Sequence, residues 1–289
     1  MDKYQNEKNI KLSLNKKDLK ELKNSKLPRN YGIDLLKILS MINIINLHIN
    51  LFSPLLNLKP NHPKYKQIYR LEAFSFWAVD AFGIISGIIS YERYKFSNII
   101  YIWFEYFFYS VTLSIYFYSK SIISKRTFVY HFFPLAIRRN WYVNAYILMY
   151  FLLPFVINSI KSMNKSLFGK IIFCLLFIHS IYHTIIKFNI RNTNFDFIDG
   201  GYTSLWLLIL YIFGAYLGKY LLNKIIFFSK IFPFTIYLFS SFITSEYIFY
   251  SFEKYKFPNR IFLEYFSPTI IIQALSLIIH FFLISQTDI

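Results

Sequence analysis

The sequence holds a single cysteine, Cys174, inside an apolar run, so neither an intrachain disulfide nor a cysteine-based metal site is available to it. No G-x-S-x-G elbow, Walker loop, dinucleotide fingerprint or H-E-x-x-H helix occurs, which removes the common nucleotide, hydrolase and zinc signatures. Acidic residues are scarce, 15 against 32 Lys and Arg, and charged residues of all kinds make up 16% of the chain. The strict two-residue alternation of an outer-membrane barrel is absent. There is no internal repeat and no inverted pair of interrupted helices of the transporter kind. The first 28 residues are polar, with eight lysines, and do not read as a cleavable signal peptide.

What remains is apolar and aromatic. Of 289 residues, 55% are hydrophobic and 22% aromatic, and the mean hydropathy is +0.38. Several apolar runs reach about 20 residues, enough to cross roughly 30 Å of hydrocarbon as helix. The expected fold class is therefore all-α, a polytopic transmembrane helix bundle. Residues 1–28 form a basic tail and residues 29–289 the membrane domain. About eight spans are expected, near 33–56, 73–90, 98–118, 141–160, 168–188, 202–222, 225–250 and 267–285. Trp141-Tyr142 at the start of the fourth suits an interfacial anchor.

The net charge of +17 lies largely in the tail and in short loops, where a protein in contact with anionic lipid carries it. No aromatic-basic module for nucleic acid is present. The lysines of the tail place the N-terminus in the cytoplasm and the chain in the plasma (inner) membrane. The sequence fixes no oligomeric state.

Ionisable groups within hydrocarbon are costly and by default serve a function. The first span carries three of them. Asp34 and Lys37 are three residues apart, either a local i,i+3 ion pair or a cationic anchor for a phosphate-bearing substrate. Eleven residues beyond Lys37 stands His48, on almost the same helical stripe and about 16 Å further along the axis. Its imidazole reads as a general base or as a histidine bound to a neighbouring helix. Asp80 precedes Gly83 by one turn, and Gly83 and Gly87 form a G-x-x-x-G spacing for close helix packing. Asp80 would either orient a histidine or close a structural polar contact. Glu92, Arg93 and Lys95 follow in a basic turn, a topological signal or a phosphate site. Glu105 reads as an inward-facing group in need of a partner. His179 and His183 stand at i,i+4 without a further ligand, so no metal is expected.

Four motifs occur in order: R-N-Y-G-I-D-L-L-K with His48 near the end of the first span; F-W-A-V-D-A-F-G-I-I-S-G; W-F-E-Y-F-F-Y-S; and N-W-Y-V-N-A-Y-I-L-M-Y-F-L-L-P-F. Together they resemble the acyltransferase 3 family, integral membrane O-acyltransferases that modify surface polysaccharides and related glycans. The family's basic-residue-x10-His pattern falls on Lys37 and His48, and its V-D-x-F-F-x-x-S-G pattern on Val79, Asp80, Phe82, Ser86 and Gly87, with Gly83 in place of the second aromatic. The resemblance implies transfer of an acyl group, usually acetyl, from acyl-CoA (acetyl-CoA) to a glycan hydroxyl, with no permanently bound cofactor. His48 is then the base, oriented by Asp80 or else by Glu105. Asp34, Lys37, Ser86, Arg93, Lys95 and Glu105 make up the set around the donor. The family usually has about ten spans. Two other readings are carried beside this one: a transporter or flippase of a lipid-linked sugar, and an inactive truncated acyltransferase.

Overall fold

The computed structural model describes residues 30–58, 62–135, 140–189, 198–224, 229–256 and 258–285. By compactness the chain divides into Met1–Tyr31 and Gly32–Ile289. The basic tail, residues 1–28, lies outside the described residues, as do Arg29, Arg138 and Arg139.

Among the described residues all regular structure is helical. Helix α1 is Tyr31–Phe52, α2 Tyr65–Ser75, α3 Ala78–Ser90 and α4 Ser97–Ser119. A short α5, Lys125–Tyr130, leads to α6, Trp141–Ser162. Helix α7, Lys165–Leu176, passes through a π-helical turn, Phe177–Tyr182, into α8, His183–Asn189. Then come α9, Ser204–Tyr216, with a π-helical extension Leu217–Leu221, α10, Ile231–Tyr255, and α11, Pro268–Ile284. Start signals are local: the side chains of Ser124, Asn140, Asn164 and Thr203 each accept from a backbone N–H of the helix they open. Pro268 sits in the first turn of α11, where its missing N–H costs nothing.

Among the described residues, seven helical segments are long and apolar enough to span a membrane: Tyr31–Phe52, Tyr65–Ser90, Ser97–Ser119, Trp141–Ser162, Lys165–Asn189, Ser204–Leu221 and Ile261–Ile284. The chain is a polytopic helical membrane protein. Where a span near 225–250 is expected stands the 25-residue α10, which is not among these seven because its apolarity is diluted by a row of small polar residues. Ser240, Ser241, Thr244, Ser245 and Ser251 are buried, and Ser240 donates to Thr269 O (3.1 Å) while Gln273 on α11 donates to Thr244 (3.5 Å). Such residues hold membrane helices together and lower hydropathy at the same time. The second span is longer than the sequence suggests. It begins at Tyr65 rather than near Ala73 and breaks at Phe76-Trp77, where α2 passes into α3.

The centre of the bundle is α9, buried on every side from Trp206 to Tyr211. It packs on α3 through the glycines of the second span. A methyl group on Gly87 would collide with the carbonyl of Tyr211, and one on Gly214 with that of Ile84. The G-x-x-x-G of α3 thus meets a matching Gly214-x-x-x-Gly218 on α9 and its π-helical extension, and backbone lies against backbone. In contrast, α1 and α4 keep only 17% and 11% of their most apolar windows buried and present Ile38, Ile42, Ile45, Phe104 and Phe108 outward. Those faces suit contact with lipid acyl chains.

Candidate active site

A cavity of about 380 Å³ opens where α1 ends and α6 begins. One wall is the stripe Met41, Ile44, Leu47, His48 and Leu51 of α1. A second comes from Glu72, Phe76, Val79 and Phe82 on α2 and α3, whose spacing of three and four residues keeps them on one face. Asn140 to Val143 at the start of α6, Tyr202 before α9, and Arg260 and Tyr265 before α11 close it.

His48 Nδ1 lies 2.8 Å from the carbonyl oxygen of Ile44, one turn back on its own helix. A carbonyl only accepts, so Nδ1 carries a proton, and in the neutral ring the lone pair is then on Nε2. The ring stacks on Phe52 at 5.9 Å.

Glu72 is 4% exposed, and its Oε1 accepts from Arg260 Nη2. A buried carboxylate requires such a partner, and the pair also joins α2 to the segment before α11. Beside it, Trp141, Tyr202, Tyr265 and Phe76 form an aromatic cluster. Ring centroids are 4.6 Å apart for Trp141–Tyr202, 4.9 Å for Tyr202–Tyr265 and 4.6 Å for Phe76–Tyr265.

Asp80 is placed differently from one of its two expected roles. It is fully buried, and its Oδ1 accepts from Trp206 Nε1 at 3.2 Å. Val79 and Phe82 face the cavity, and Asp80, turned about 100° from Val79, faces α9 instead. In this structure Asp80 therefore does not orient His48; the Ile44 carbonyl holds the ring. Of the alternatives left open by the sequence, the geometry is that of a structural polar contact beside the glycine seam.

Lys37 donates to Asp34 Oδ1 at 3.2 Å, the local i,i+3 ion pair, and neither residue lines the cavity. Ser86 Oγ donates to Phe82 O at 2.8 Å and lies 3.5 Å from the Tyr146 hydroxyl. Glu105 is exposed on α4, which corrects its expected inward position: α4 is peripheral, with 11% of its most apolar window buried. Its expected partnership with His48 is absent as well. Among the described residues no three His, Cys, Asp or Glu side chains gather as a metal site, and His183 packs on Phe266 at 4.5 Å.

Arg93 and Lys95 do come together, at the end of α3 opposite the first cavity. With Glu92, Tyr94, Asn158 and Lys161 they line an open hollow of about 430 Å³. The end of α6 that supplies Lys161 is fixed by Lys219, whose Nζ donates to the carbonyls of Ile160 (2.8 Å), Lys161 (2.9 Å) and Met163 (3.1 Å). Its cation sits where the helix dipole is negative.

Sequence reasoning did not single out Glu72, Arg260, Tyr202, Tyr265 or Lys161. A signal existed for Glu72 alone, as an isolated acid next to an aromatic-rich apolar run; it was missed because the helix begins eight residues earlier than expected.

Fold and site together describe a multi-pass membrane protein with an exposed histidine lining an aromatic cavity at one end and a basic hollow at the other. The family model for the acyltransferase 3 group, described as an acyltransferase domain, matches residues 30–287. The chain belongs to that family, and it is a membrane acyltransferase. No curated protein and no solved structure matches it.

Proposed function

We propose that the protein moves an acetyl group from acetyl-CoA to a hydroxyl of a cell-surface glycan. His48 Nε2 takes the proton from the acceptor hydroxyl, whose oxygen attacks the thioester carbonyl. The tetrahedral intermediate collapses with cleavage of the C–S bond, and the departing coenzyme A thiolate takes the proton back from His48. Arg93, Lys95 and Lys161 hold donor phosphates in the basic hollow. Asp34, Lys37 and Ser86 contact the pantetheine arm of the donor. The basic end faces the cytoplasm, the N-terminus with it, and the protein resides in the inner (plasma) membrane.

The observation that carries this reading is the position of His48. Its Nδ1 is occupied by the Ile44 carbonyl, which leaves Nε2 to meet a substrate, and it lines a cavity with an aromatic wall. The test uses the full chain in lipid nanodiscs with radiolabelled acetyl-CoA and a surface-glycan extract. Transfer should fall by about 10²–10⁴-fold in His48→Ala. Undiminished transfer in an inserted His48→Ala protein rules the mechanism out.

A further inference from the structure

Among the described residues, the charged side chains lining the aromatic cavity are Glu72 and Arg260, and they are paired with each other. The pair compensates itself, so the described lining carries no net charge while His48 is neutral. Arg260 spends one donor on Glu72. Its side chain lines the cavity and is 38% exposed, whereas Glu72 is 4% exposed, so further N–H groups remain for a ligand. Next to them stand the aromatic faces of Trp141 and Tyr202, of which Tyr202 is 42% exposed. A cavity of about 380 Å³ takes a molecule of one to two sugar rings.

We infer that this cavity is the acceptor subsite and that it selects a neutral, polyhydroxylated ring: the ring stacks on Trp141 and Tyr202, and its hydroxyl oxygens accept from Arg260. This rests on the acyl-transfer reading only for the word acceptor, since binding is measurable without transfer. Glu72 is a positioning residue. It holds the guanidinium at the cavity wall and cancels its charge, so a sugar carboxylate has to compete with Glu72 for Arg260 and gains little.

Neutralising Glu72 therefore changes which sugar is preferred, an effect that loss of packing does not produce. Saturation-transfer NMR on the full chain in nanodiscs, with methyl glucopyranoside and methyl glucuronate as probes, reads it directly. In the wild type, transfer to the ring protons of the glucoside exceeds that to the glucuronate. Trp141→Ala and Tyr202→Ala reduce it at least about fivefold, as expected when a stacking surface is removed. Phe239→Ala, on the exposed side of α10, leaves it unchanged. Glu72→Gln shifts the ratio of affinities toward the glucuronate by about tenfold, through a new charge-assisted bond to Arg260, and Glu72→Asp retains the wild-type order.

A wild-type protein that prefers the glucuronate, binds neither probe, or is indifferent to Trp141→Ala overturns the inference. If Glu72→Gln does not insert, the wild-type preference and Trp141→Ala decide the matter alone. Sugar binding that persists while acetyl-CoA is never consumed overturns the proposed reaction and leaves the subsite standing.

Discussion

The two hollows of the bundle are built from opposite materials. The one at the end of α1 is walled by aromatic and aliphatic side chains and holds the compensated ion pair Glu72–Arg260 as well as His48. The one at the end of α3 is open and carries Arg93, Lys95 and Lys161 against Glu92. An aromatic cavity binds by area and by a few directed hydrogen bonds, so its selectivity is one of shape. A basic hollow binds by charge, so its strength falls with salt and its selectivity is for anions. The two kinds of recognition suit the two halves of the proposed substrate pair, a ring and a phosphate-bearing thioester.

Removing His48 is the sharpest way to separate the two ends. His48→Ala should abolish transfer, by about 10²–10⁴-fold, while binding of coenzyme A, measured by calorimetry, stays as it was. The basic end gives a smaller and more selective effect. Arg93→Ala combined with Lys161→Ala should raise the donor KM by roughly tenfold or more, leave the acceptor KM in place, and weaken the dependence of donor binding on sodium chloride.

Asp80 lies between the two regions and belongs to neither. Asp80→Leu strands the Trp206 N–H in the core and should lower thermal stability by about 1–3 kcal/mol. Asp80→Asn keeps an acceptor for that N–H and should leave the pH profile of transfer unchanged. A profile displaced in Asp80→Asn would tie it to His48 after all. The least effect is expected at the start of α1. Asp34→Asn, at a half-exposed i,i+3 pair, should change stability by under about 1 kcal/mol, and it sharpens the comparison only if the freed Lys37 tightens donor binding.

The spans were largely legible because a membrane helix has to satisfy its own backbone and needs some 20 apolar residues to do so. Both constraints are local. The glycine seam was legible in half: Gly83 and Gly87 mark a close approach, but their partners Gly214 and Gly218 stand far off in the chain, within a run that reads only as apolar. Asp80 shows where such reading ends. Its place beside the seam was expected, whereas its partner depended on a turn of about 100° about the helix axis relative to Val79, set by how α3 rests on α9. Lys37 and His48 do share a stripe, yet only His48 reaches the cavity.

By itself the sequence determined the membrane class, the spans, the ordered motifs of the family and the position of His48 on the first helix, since all of these follow from composition and from the period of one helix. Tertiary structure alone decided the walls of the cavity. Glu72 and Arg260 are 188 residues apart and Trp141 and Tyr202 are 61 apart, and no local rule joins them. They meet because successive spans reverse direction and bring the ends of α1, α6, α9 and α11 to one place. A buried carboxylate there had to find a cation, and the fold supplied Arg260.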